Sequence, residues 1–480
     1  MSRSTYPNAA KFLLGCSLTL LISHQALAVG FVANHTSHLT GIANAGSAVY
    51  DHSVAAISNN PAAMALMSEI QVGGNLSALV PDWSVNEKWD CNAEDNCAHS
   101  NVGSVAVIPA FGVIRPMGRG FTWGVGLGGT AGTGFNYGDE WKGRAIVRDN
   151  HLEVIELMNS VSWRMNDKWT FGVGVGAIYG EMVQKQDLPS LSASAGDDLH
   201  SIIEFVGLAQ DCRGLTGPAL ALCLSGAVDE SGLDPESAAE TIGSLKSYQD
   251  GESGTKVKLD GDDFGVELVL GTTWEFLPGQ RLGIVYKYMS DFTFEGNAEI
   301  NGQLLSDETE QKPHMTLQWN MPARLIVSGS HQINDGLHLY WDFERVFFDD
   351  FERTDLRIDG LGTTKIDRNF KDANRYALGT EYQLNDQYTL QLGVSYDESP
   401  VDDSDRMPDI PVDEIVKVAV GTIYQMTEQL DIQAYLTVEF LGDNKIEQLA
   451  SIDGHKIGES FKMDSDTTIY VFGVSFGYKF

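Results

Sequence analysis

The sequence predicts an all-β membrane protein: a 14-stranded antiparallel transmembrane β-barrel with an N-terminal hatch, or plug, inside its lumen. Three observations predict it, namely segments that alternate apolar and polar residues, short turns that alternate with long polar connections, and the lack of a helical span. No apolar run in the body of the 480-residue chain approaches about 20 residues, which excludes a bundle of membrane helices. Barrel strands alternate, so they average to the moderate hydropathy seen here.

The final segment shows the alternation most clearly. One face carries large apolar residues and the other mostly small or polar ones: Tyr470, Phe472, Val474, Phe476, Tyr478 and Phe480 against Val471, Gly473, Ser475, Gly477 and Lys479. The same period of two recurs over 430–440 and 388–397, where charged residues occupy the second face. A soluble sandwich would turn charge outward around a dry core, so this pattern favours a polar lumen surrounded by lipid.

Turn signals give the strand count. Six short turns fall at 116–119, 166–167, 278–279, 334–336, 385–386 and 427–428. Seven long polar connections fall near 85–99, 131–148, 184–255, 296–310, 350–371, 398–411 and 446–464. Thirteen connections join fourteen strands. With an even number of strands, the start of the first strand and the end of the last both lie on the short-turn, periplasmic side. The stretch 311–333 reads either as one strand bent at Pro322 or as two strands.

The N-terminus is predicted to be a secretory signal over residues 1–28. Basic residues precede an apolar stretch over 12–22, and Ala26-Leu27-Ala28 is a small-residue cleavage site. The alternative is a lipoprotein signal, because residues 13–16 (LLGC) resemble a lipobox, although most of the apolar region follows Cys16. Such a signal indicates Sec export.

Residues 29–68 lack the strand pattern. They are rich in small residues and include Asn60-Pro61-Ala62, so they have little apolar surface of their own to bury. The lumen of a 14-stranded barrel is too wide for side chains alone to fill, and we predict that 29–68 form a hatch inside it. A periplasmic tail is the alternative. Residues 69–480 then form the barrel, with 184–255 as a long extracellular loop.

Charge and cysteine content limit the partners. The chain has 66 acidic and 32 basic residues and a net charge of −34, which excludes nucleic acid as a partner. After signal cleavage four cysteines remain, in two close pairs: Cys91 with Cys97, and Cys212 with Cys223. In an oxidising compartment these local disulfides are the simplest pairing. Metal binding is the other interpretation, but the spacing matches no zinc pattern, so we predict no metal and no cofactor.

Several short motifs occur in order along nearly the whole mature chain. They are Asn60-Pro61-Ala62, RLGIVYKY over 281–288 with FEG over 294–296, Met321-Pro322-Ala323, FKDANRYALG over 370–379, YDESPV over 396–401 and the terminal Phe480. As an ordered set they resemble the FadL family (OmpP1/FadL/TodX) of outer-membrane transporters for long-chain fatty acids and hydrocarbons.

The resemblance implies a 14-stranded barrel with a hatch, located in the outer membrane, and passive uptake of long-chain fatty acids or related hydrophobic compounds. Ligand would be captured by the outer loops, bound in the lumen and released laterally beside a kinked third strand after the hatch moves. That strand falls at 121–129, where Gly124, Gly126, Gly128 and Gly129 are candidates for a lateral gate. Glycine-rich strands are also common where a barrel only needs to curve, which is the alternative interpretation. We expect a monomer that the barrel assembly machinery inserts among outer-membrane lipids and lipopolysaccharide.

Candidate ligand-binding residues come from the long loop and from cations predicted to face the lumen. In the loop, Ile202, Phe205 and Leu220 belong to two apolar clusters that offer either a groove for an acyl chain or a core for the loop itself. Three cations are candidates to bind a carboxylate. The alternation predicts that Arg164 faces the lumen, at a strand end that resembles the family's, and Lys371 and Arg375 lie in the strongest motif. The last two alternatively pair with carboxylates of the lumen or hatch.

The sequence has three alternative functions to consider: a general diffusion porin, a hydrocarbon carrier and a lipid hydrolase. A general diffusion porin needs neither apolar loop clusters nor a plug, and an aromatic or alkane hydrocarbon carrier of the same family has the same sequence pattern. A lipid hydrolase is rejected, because the GxSxG pattern at 473–477 lies inside the last strand with no helix after it. A GxGxxG pattern at 124–129 likewise lacks the helix that a dinucleotide site requires. We therefore predict that the protein is not an enzyme.

Overall fold

A computed structural model describes residues 38–88, 97–188, 225, 228, 255–301, 312–351, 353–360, 362–452 and 455–480. These residues form twenty strands and a few short helices. The strands are β1 (Gln71–Glu87), β2 (Ala98–Ser100), β3 (Ala106–Gly118), β4 (Phe121–Asn136), β5 (Asp149–Arg164), β6 (Trp169–Leu188), β7 (Thr255–Leu277), β8 (Gln280–Met289), β9 (Phe292–Asn301), β10 (His314–Trp319), β11 (Ala323–Asn334), β12 (Leu337–Phe347), β13 (Arg353–Ile358), β14 (Gly362–Asp367), β15 (Ala373–Gln383), β16 (Tyr388–Asp397), β17 (Ile415–Gln425), β18 (Leu430–Leu441), β19 (Ile446–Ile452) and β20 (His455–Lys479).

Short helices precede and interrupt the strands. A 3-10 helix over His38–Ile42, an α-helix over Ala56–Asn59 and a 3-10 helix over Pro61–Leu66 come before β1. Two further 3-10 helices, Lys142–Ala145 and Phe348–Phe351, lie in connections between strands. Among the residues described, no helix has the length and apolarity needed to cross a membrane.

Fourteen of the strands close into an antiparallel barrel. In order around the wall they are β1, β3, β4, β5, β6, β7, β8, β11, β12, β15, β16, β17, β18 and β20. The last strand then pairs with the first, from Gln71 opposite Lys479 to Glu87 opposite Met463, which closes the barrel. The predicted fold class and the fourteen strands are confirmed.

The six predicted short turns all join adjacent barrel strands, as hairpins between β3 and β4, β5 and β6, β7 and β8, β11 and β12, β15 and β16, and β17 and β18. The region around Pro322 contains two strands, β10 and β11, and only β11 belongs to the barrel.

The long connections contain more β-structure than the turn pattern predicts. At the long-connection end, β9 pairs with the outer part of β7, β10 with β9, β13 with β10 and β14 with β13. In β9, Phe292 and Phe294 are buried while Thr293 and Glu295 are exposed, so this strand shows the same local alternation as a barrel strand. Alternation alone therefore does not distinguish β9 from a strand of the barrel. The long connection that was predicted to begin at residue 296 begins earlier, after Met289 at the end of β8.

The two faces of the wall differ as predicted. The large exposed apolar side chains of the last strand, such as Phe472 and Val474, alternate with buried Val471 and Ser475. Exposed apolar residues on the outer face are what a strand needs in contact with lipid, and buried polar ones on the inner face are what it needs against a polar lumen.

Residues 38–66, which we call the hatch segment, lie against the inner face of the barrel. Most of the segment is buried, and Leu39, Ile42, Ala45 and Val49 pack with wall residue Tyr340. A second group, including Ile57 and Met64, packs with inward-facing side chains from five wall strands: Ile114, Met158, Val269, Val285 and Ile326. The segment is therefore packed on several sides of the barrel interior at once.

Candidate lumenal site

A belt of charged side chains lines the inner face of eight consecutive barrel strands, from β7 to β18. Seven of the eight are buried and one, Asp397, is partly buried. Neighbouring cations and carboxylates lie 3.2–3.9 Å apart all along the belt. In strand order the members are Glu267, Lys287, Arg324, Glu344, Arg375, Asp397, Lys417 and Glu439.

Cross-strand register places opposite charges side by side in several pairings of the belt. The cations Lys287 and Arg324 are directly opposite each other, and each pairs with a carboxylate on its other side, Glu267 and Glu344 respectively. Glu344 is directly opposite Arg375 in the pairing of β12 with β15, and Lys417 is directly opposite Glu439 in the pairing of β17 with β18. Buried charges persist only when they are paired. The belt therefore holds ionised groups in the lumen without leaving them unpaired.

The hatch segment is fastened to this wall by polar contacts. The carboxylate of Asp342 accepts hydrogen bonds from the backbone N–H of Gly46 at 2.8 Å, from the N–H of Ser47 at 3.2 Å and from the Ser47 hydroxyl at 2.6 Å. At the N-terminal end, His38 Nε2 lies 3.1 Å from Asp431 Oδ1. Charge-assisted bonds of this kind are about twice as strong as neutral ones, so these contacts fix the position of the segment.

An ion pair also joins hatch and wall near the short-turn end. Arg281 Nη1 donates to Asp51 Oδ2 at 2.9 Å. Burial alone would raise the pKa of the Asp51 carboxyl, but the positive charges of His52 and Arg281 outweigh burial and lower it. Asp51 is therefore held in the ionised form that this contact requires.

Asn60-Pro61-Ala62 sits where the hatch approaches two wall strands. Asn60 is fully buried; its side-chain amide donates to Ala48 O at 2.5 Å, and its side-chain oxygen caps the next helix by accepting from Ala62 N at 3.0 Å. The wall has glycine at the points of closest approach: a Cβ at Gly271 would lie 1.9 Å from Asn60 Oδ1, and one at Gly172 would lie 2.2 Å from Ala62 N. The motif thus fits a socket that only glycine leaves open.

One cavity, open to solvent at its mouth, lies between the hatch segment and the wall. Its lining includes the belt residues Lys287, Arg324, Arg375 and Glu344 and a further carboxylate, that of Glu156 on β5. It also includes apolar residues, among them Val54 and Ile57 of the hatch segment and Ile326 of the wall. The cavity therefore presents both charged and apolar groups to a ligand.

The barrel wall has a gap beside the third barrel strand, β4. Pairing of β3 with β4 stops at Ala110 opposite Gly128, although β3 goes on pairing with β1 as far as Ala106. A bulge between Gly129 and Ala131 shifts the register of β4 against β5 at the same level. Residues 106–109 and 129–136, all within the described part of the chain, are thus joined by no ladder pair.

The cavity reaches this gap. Gly128, Gly129 and Thr130 at its edge all line the cavity, as do Phe111 and Leu127, whose side chains are 50% and 48% exposed on the outer face. Of the four predicted gate glycines, Gly124 and Gly126 face Ile57 of the hatch, whereas Gly128 and Gly129 border the gap.

The three predicted cations occupy different places. Arg375 is buried in the belt, lines the cavity and donates to the hatch carbonyl Ala43 O at 2.6 Å. Lys371 is exposed and paired with Asp402, and Arg164 is exposed at the short-turn end with Asp167 at 3.4 Å. Neither Lys371 nor Arg164 lines the cavity, so a ligand role for them stays a prediction.

The loop residues Ile202, Phe205 and Leu220 and the cysteines Cys91, Cys212 and Cys223 lie outside the described residues. Cys97 is disulfide-bonded. Within the described ranges no group of three or more His, Cys, Asp or Glu side chains is arranged to hold a metal ion.

Lys287 and Arg324 are cavity residues that were not among the predicted ligand-binding residues, although Lys287 lies in the motif over 281–288. The signal for Lys287 was present, because residues 284, 286 and 288 are apolar or aromatic and exposed, which gives residue 287 inward parity. Another buried cation, Arg368, has a structural role. It lies in the long connection between β12 and β15, donates to Asp409 at 2.8 Å and lies over the Trp319 ring.

Comparisons with known proteins agree with this architecture. The sequence model of the family described as "Outer membrane protein transport protein (OMPP1/FadL/TodX)" matches residues 19–480. The long-chain fatty acid transport protein of Escherichia coli (strain K12) is 24% identical over 476 residues, 96% of each chain. The crystal structure of a Pseudomonas aeruginosa FadL homologue is similar with a TM-score of 0.73 at 20% identity, covering 94% of this chain and 100% of that one. The crystal structure of the Pseudomonas putida toluene transporter TodX is similar with a TM-score of 0.63 at 18% identity, covering 94% and 99%.

Proposed function

Because this chain belongs to the OMPP1/FadL/TodX family of outer membrane transport proteins, which are channels and not enzymes, we propose that it imports long-chain fatty acids across the outer membrane. Ligand is captured by the outer loops, bound in the lumenal cavity and released sideways through the gap beside β4 after the hatch segment moves.

The observation that carries the proposal is the mixed lining of the cavity. Lys287, Arg324 and Arg375 supply cationic donors, whose hydrogen bonds to a carboxylate are about twice as strong as neutral ones. Val54 and Ile57 of the hatch segment and Ile326 of the wall supply apolar contacts that suit an acyl chain. A molecule with an anionic head and an apolar tail matches both kinds of group, whereas a neutral hydrocarbon uses only the apolar ones.

Binding measurements with radiolabelled oleate and toluene on the purified protein test this choice. We expect saturable oleate binding that weakens when Arg324 is replaced by methionine, because the substitution removes a buried cation from the lining of the cavity. Loss of a charged hydrogen-bond donor typically costs about 1.5–3 kcal/mol, or roughly 10- to 150-fold in affinity. Saturable toluene binding without oleate binding would instead assign the protein to hydrocarbon uptake.

A diffusion porin is the weaker candidate, because the hatch segment is packed into the lumen and held by Asp342 and by Arg281. An ion-conducting pore in planar bilayers, together with no oleate binding, would favour it.

Lateral release makes a separate prediction about the bulge. Deleting Thr130 removes the extra residue between Gly129 and Ala131, so β4 can pair with β3 and β5 in one register and narrow the gap. We expect the deletion variant to bind oleate as the wild type does but to support little growth on oleate as carbon source. Normal growth of the deletion strain would contradict release through this gap, and outer-membrane abundance of the folded barrel is the control.

A further inference from the structure

The connection between β16 and β17, residues 398–414, crosses the outer opening of the barrel, and we call it the mouth loop. Its Asp409 carbonyl accepts a hydrogen bond from the side-chain amide of Asn150 at 2.8 Å, and its Pro408 carbonyl accepts one from the Tyr137 hydroxyl at 3.0 Å. Asn150 lies on β5, which is seven strands away from β16 around the wall. The mouth loop therefore reaches the opposite side of the barrel.

The mouth loop also closes the apolar part of the opening. Ile410 is 5% exposed and belongs to an apolar cluster that contains Leu152 and Val154, two inward-facing residues of β5. Along β5 these two residues lie between Asn150, which contacts the loop, and Glu156, which lines the lumenal cavity. A ligand that enters from the outer loops therefore meets this cluster before it reaches the cavity.

An ion pair holds the mouth loop in this position. Arg368 Nη1 donates to Asp409 Oδ1 at 2.8 Å, and Arg368 Nη2 lies 2.8 Å from Asp409 Oδ2, with both side chains buried. A guanidinium binds a carboxylate most strongly and specifically in this bidentate geometry. Arg368 is also positioned independently of Asp409, because its Nε donates to Thr354 Oγ1 at 3.1 Å and its guanidinium lies over the Trp319 ring. The ion pair that closes the loop thus has the form of a carboxylate bound in a prepared site.

The base of the mouth loop has support of its own. Arg406 is 1% exposed and donates to Val412 O at 2.7 Å, to the carboxylate of Asp413 at 2.9 Å and to the carbonyl of Lys445 in the next long connection. These contacts join the two arms of the loop and do not involve Arg368. The base therefore keeps its shape when the ion pair opens, and the part of the loop around the ion pair is the part that moves.

We propose that Arg368 is an outer binding site for the carboxylate of an incoming ligand, and that Asp409 occupies this site while the mouth loop is closed. The inference rests on the proposed function for the nature of the ligand. A ligand carboxylate that bonds to Arg368 displaces Asp409 into water, and its acyl chain takes the place of Ile410 in the apolar cluster. The loop then leaves the opening, and the ligand can pass to the cavity. A neutral hydrocarbon has no group that competes with Asp409, so the site selects acids at the entrance.

Hydrogen–deuterium exchange of the mouth loop tests the displacement. The probes are the amides of Ile410 and Val412, which donate to Met407 O at 3.2 Å and to Ile410 O at 2.9 Å. In the wild type we expect oleate to speed their exchange by about tenfold, the effect of losing one charged hydrogen bond, whereas the neutral ester methyl oleate should leave it unchanged. An equal response to methyl oleate, or no response while radiolabelled oleate is bound, would overturn the inference. Absence of oleate binding to the wild type would instead overturn the proposed function.

Two substitutions distinguish a ligand site from a contact that only holds the loop closed. Asp409→Asn and Arg368→Met both break the ion pair, so in both variants the loop amides should exchange rapidly without ligand. Only Asp409→Asn keeps the cation, and we expect oleate to associate with it about tenfold faster than with the wild type and about tenfold faster than with Arg368→Met. Equal association rates for the two variants would show that Arg368 binds no ligand.

Asp405→Asn is the matched control, because it neutralises another carboxylate of the mouth loop whose contact, at 2.8 Å, is with the exposed side chain of Asn369. This variant should keep the exchange rate, the response to oleate and the association rate of the wild type. Gel mobility with and without heating shows whether each variant is a folded barrel. Rapid loop exchange and fast oleate association in Asp405→Asn would attribute the effects to general loosening of the loop and contradict a site at Arg368.

Discussion

Replacing Gly172 by alanine is expected to push the hatch segment off the barrel wall and to open the lumen to ions. The added Cβ would lie 2.2 Å from Ala62 N and 2.4 Å from the carbonyl carbon of Pro61, and backbone atoms cannot swing aside as a side chain can. Overpacking of this kind costs about 1–3 kcal/mol, which lowers the equilibrium constant for docking of the hatch segment by about 5- to 150-fold. Single-channel conductance in planar bilayers measures the opening.

Gly126→Ala provides the matched control, since Gly126 also faces the hatch but its Cβ would meet Ile57 at an ordinary 3.4 Å. We expect this variant to conduct like the wild type. A closed Gly172→Ala channel in a folded barrel would show that the hatch is held elsewhere, with Asn60-Pro61-Ala62 free to shift.

Replacing Lys417 by methionine should produce a large loss of stability. Lys417 is 9% exposed at its side chain and lies 3.8 Å from Asp397 and 3.4 Å from Glu439, so its removal takes the cation from between two carboxylates of the belt. Breaking a buried ion pair from one side costs about 3–5 kcal/mol. Urea unfolding of the detergent-solubilised barrel, followed by its gel mobility, measures the change.

Lys371→Met is the control for that experiment, because Lys371 and its partner Asp402 are each 62% exposed and such pairs contribute less than about 1 kcal/mol. The same variant tests the predicted ligand role of Lys371, since weakened oleate binding at unchanged stability would place that residue on the entry path. Equal stability of the Lys417 and Lys371 variants would contradict the energetic importance assigned to the belt.

Local signals were sufficient for the barrel but not for its interior. Six hairpins and the third barrel strand followed from turn residues and period-two alternation, both of which act within a few residues. The hairpin of β9 and β10 was missed because Phe292 and Phe294 alternate as they would in a barrel strand, and only the pairing with β7 places them outside the barrel.

The site depends on register and depth, which alternation does not encode. Arg164 has the predicted parity, yet it lies at the exposed end of β5, because parity says which face a residue occupies and not how far along the strand. The belt could not be predicted from the sequence for the same reason, because Arg375 and Glu344 are far apart in the chain and meet only through the pairing of β12 with β15. Arg375 was found through a motif, and its partners required the fold.

The fastening of the hatch segment has a consequence for the order of folding. His38 contacts Asp431 across 393 residues of chain, and its carbonyl accepts from Gln433 across 395, so both partners belong to the next-to-last barrel strand. Contacts of such sequence separation form late, because chain closure must precede them. The hatch segment, which is synthesised before every barrel strand, is therefore among the last to reach its final place, and a chain truncated before β18 would lack these two anchors for the hatch segment.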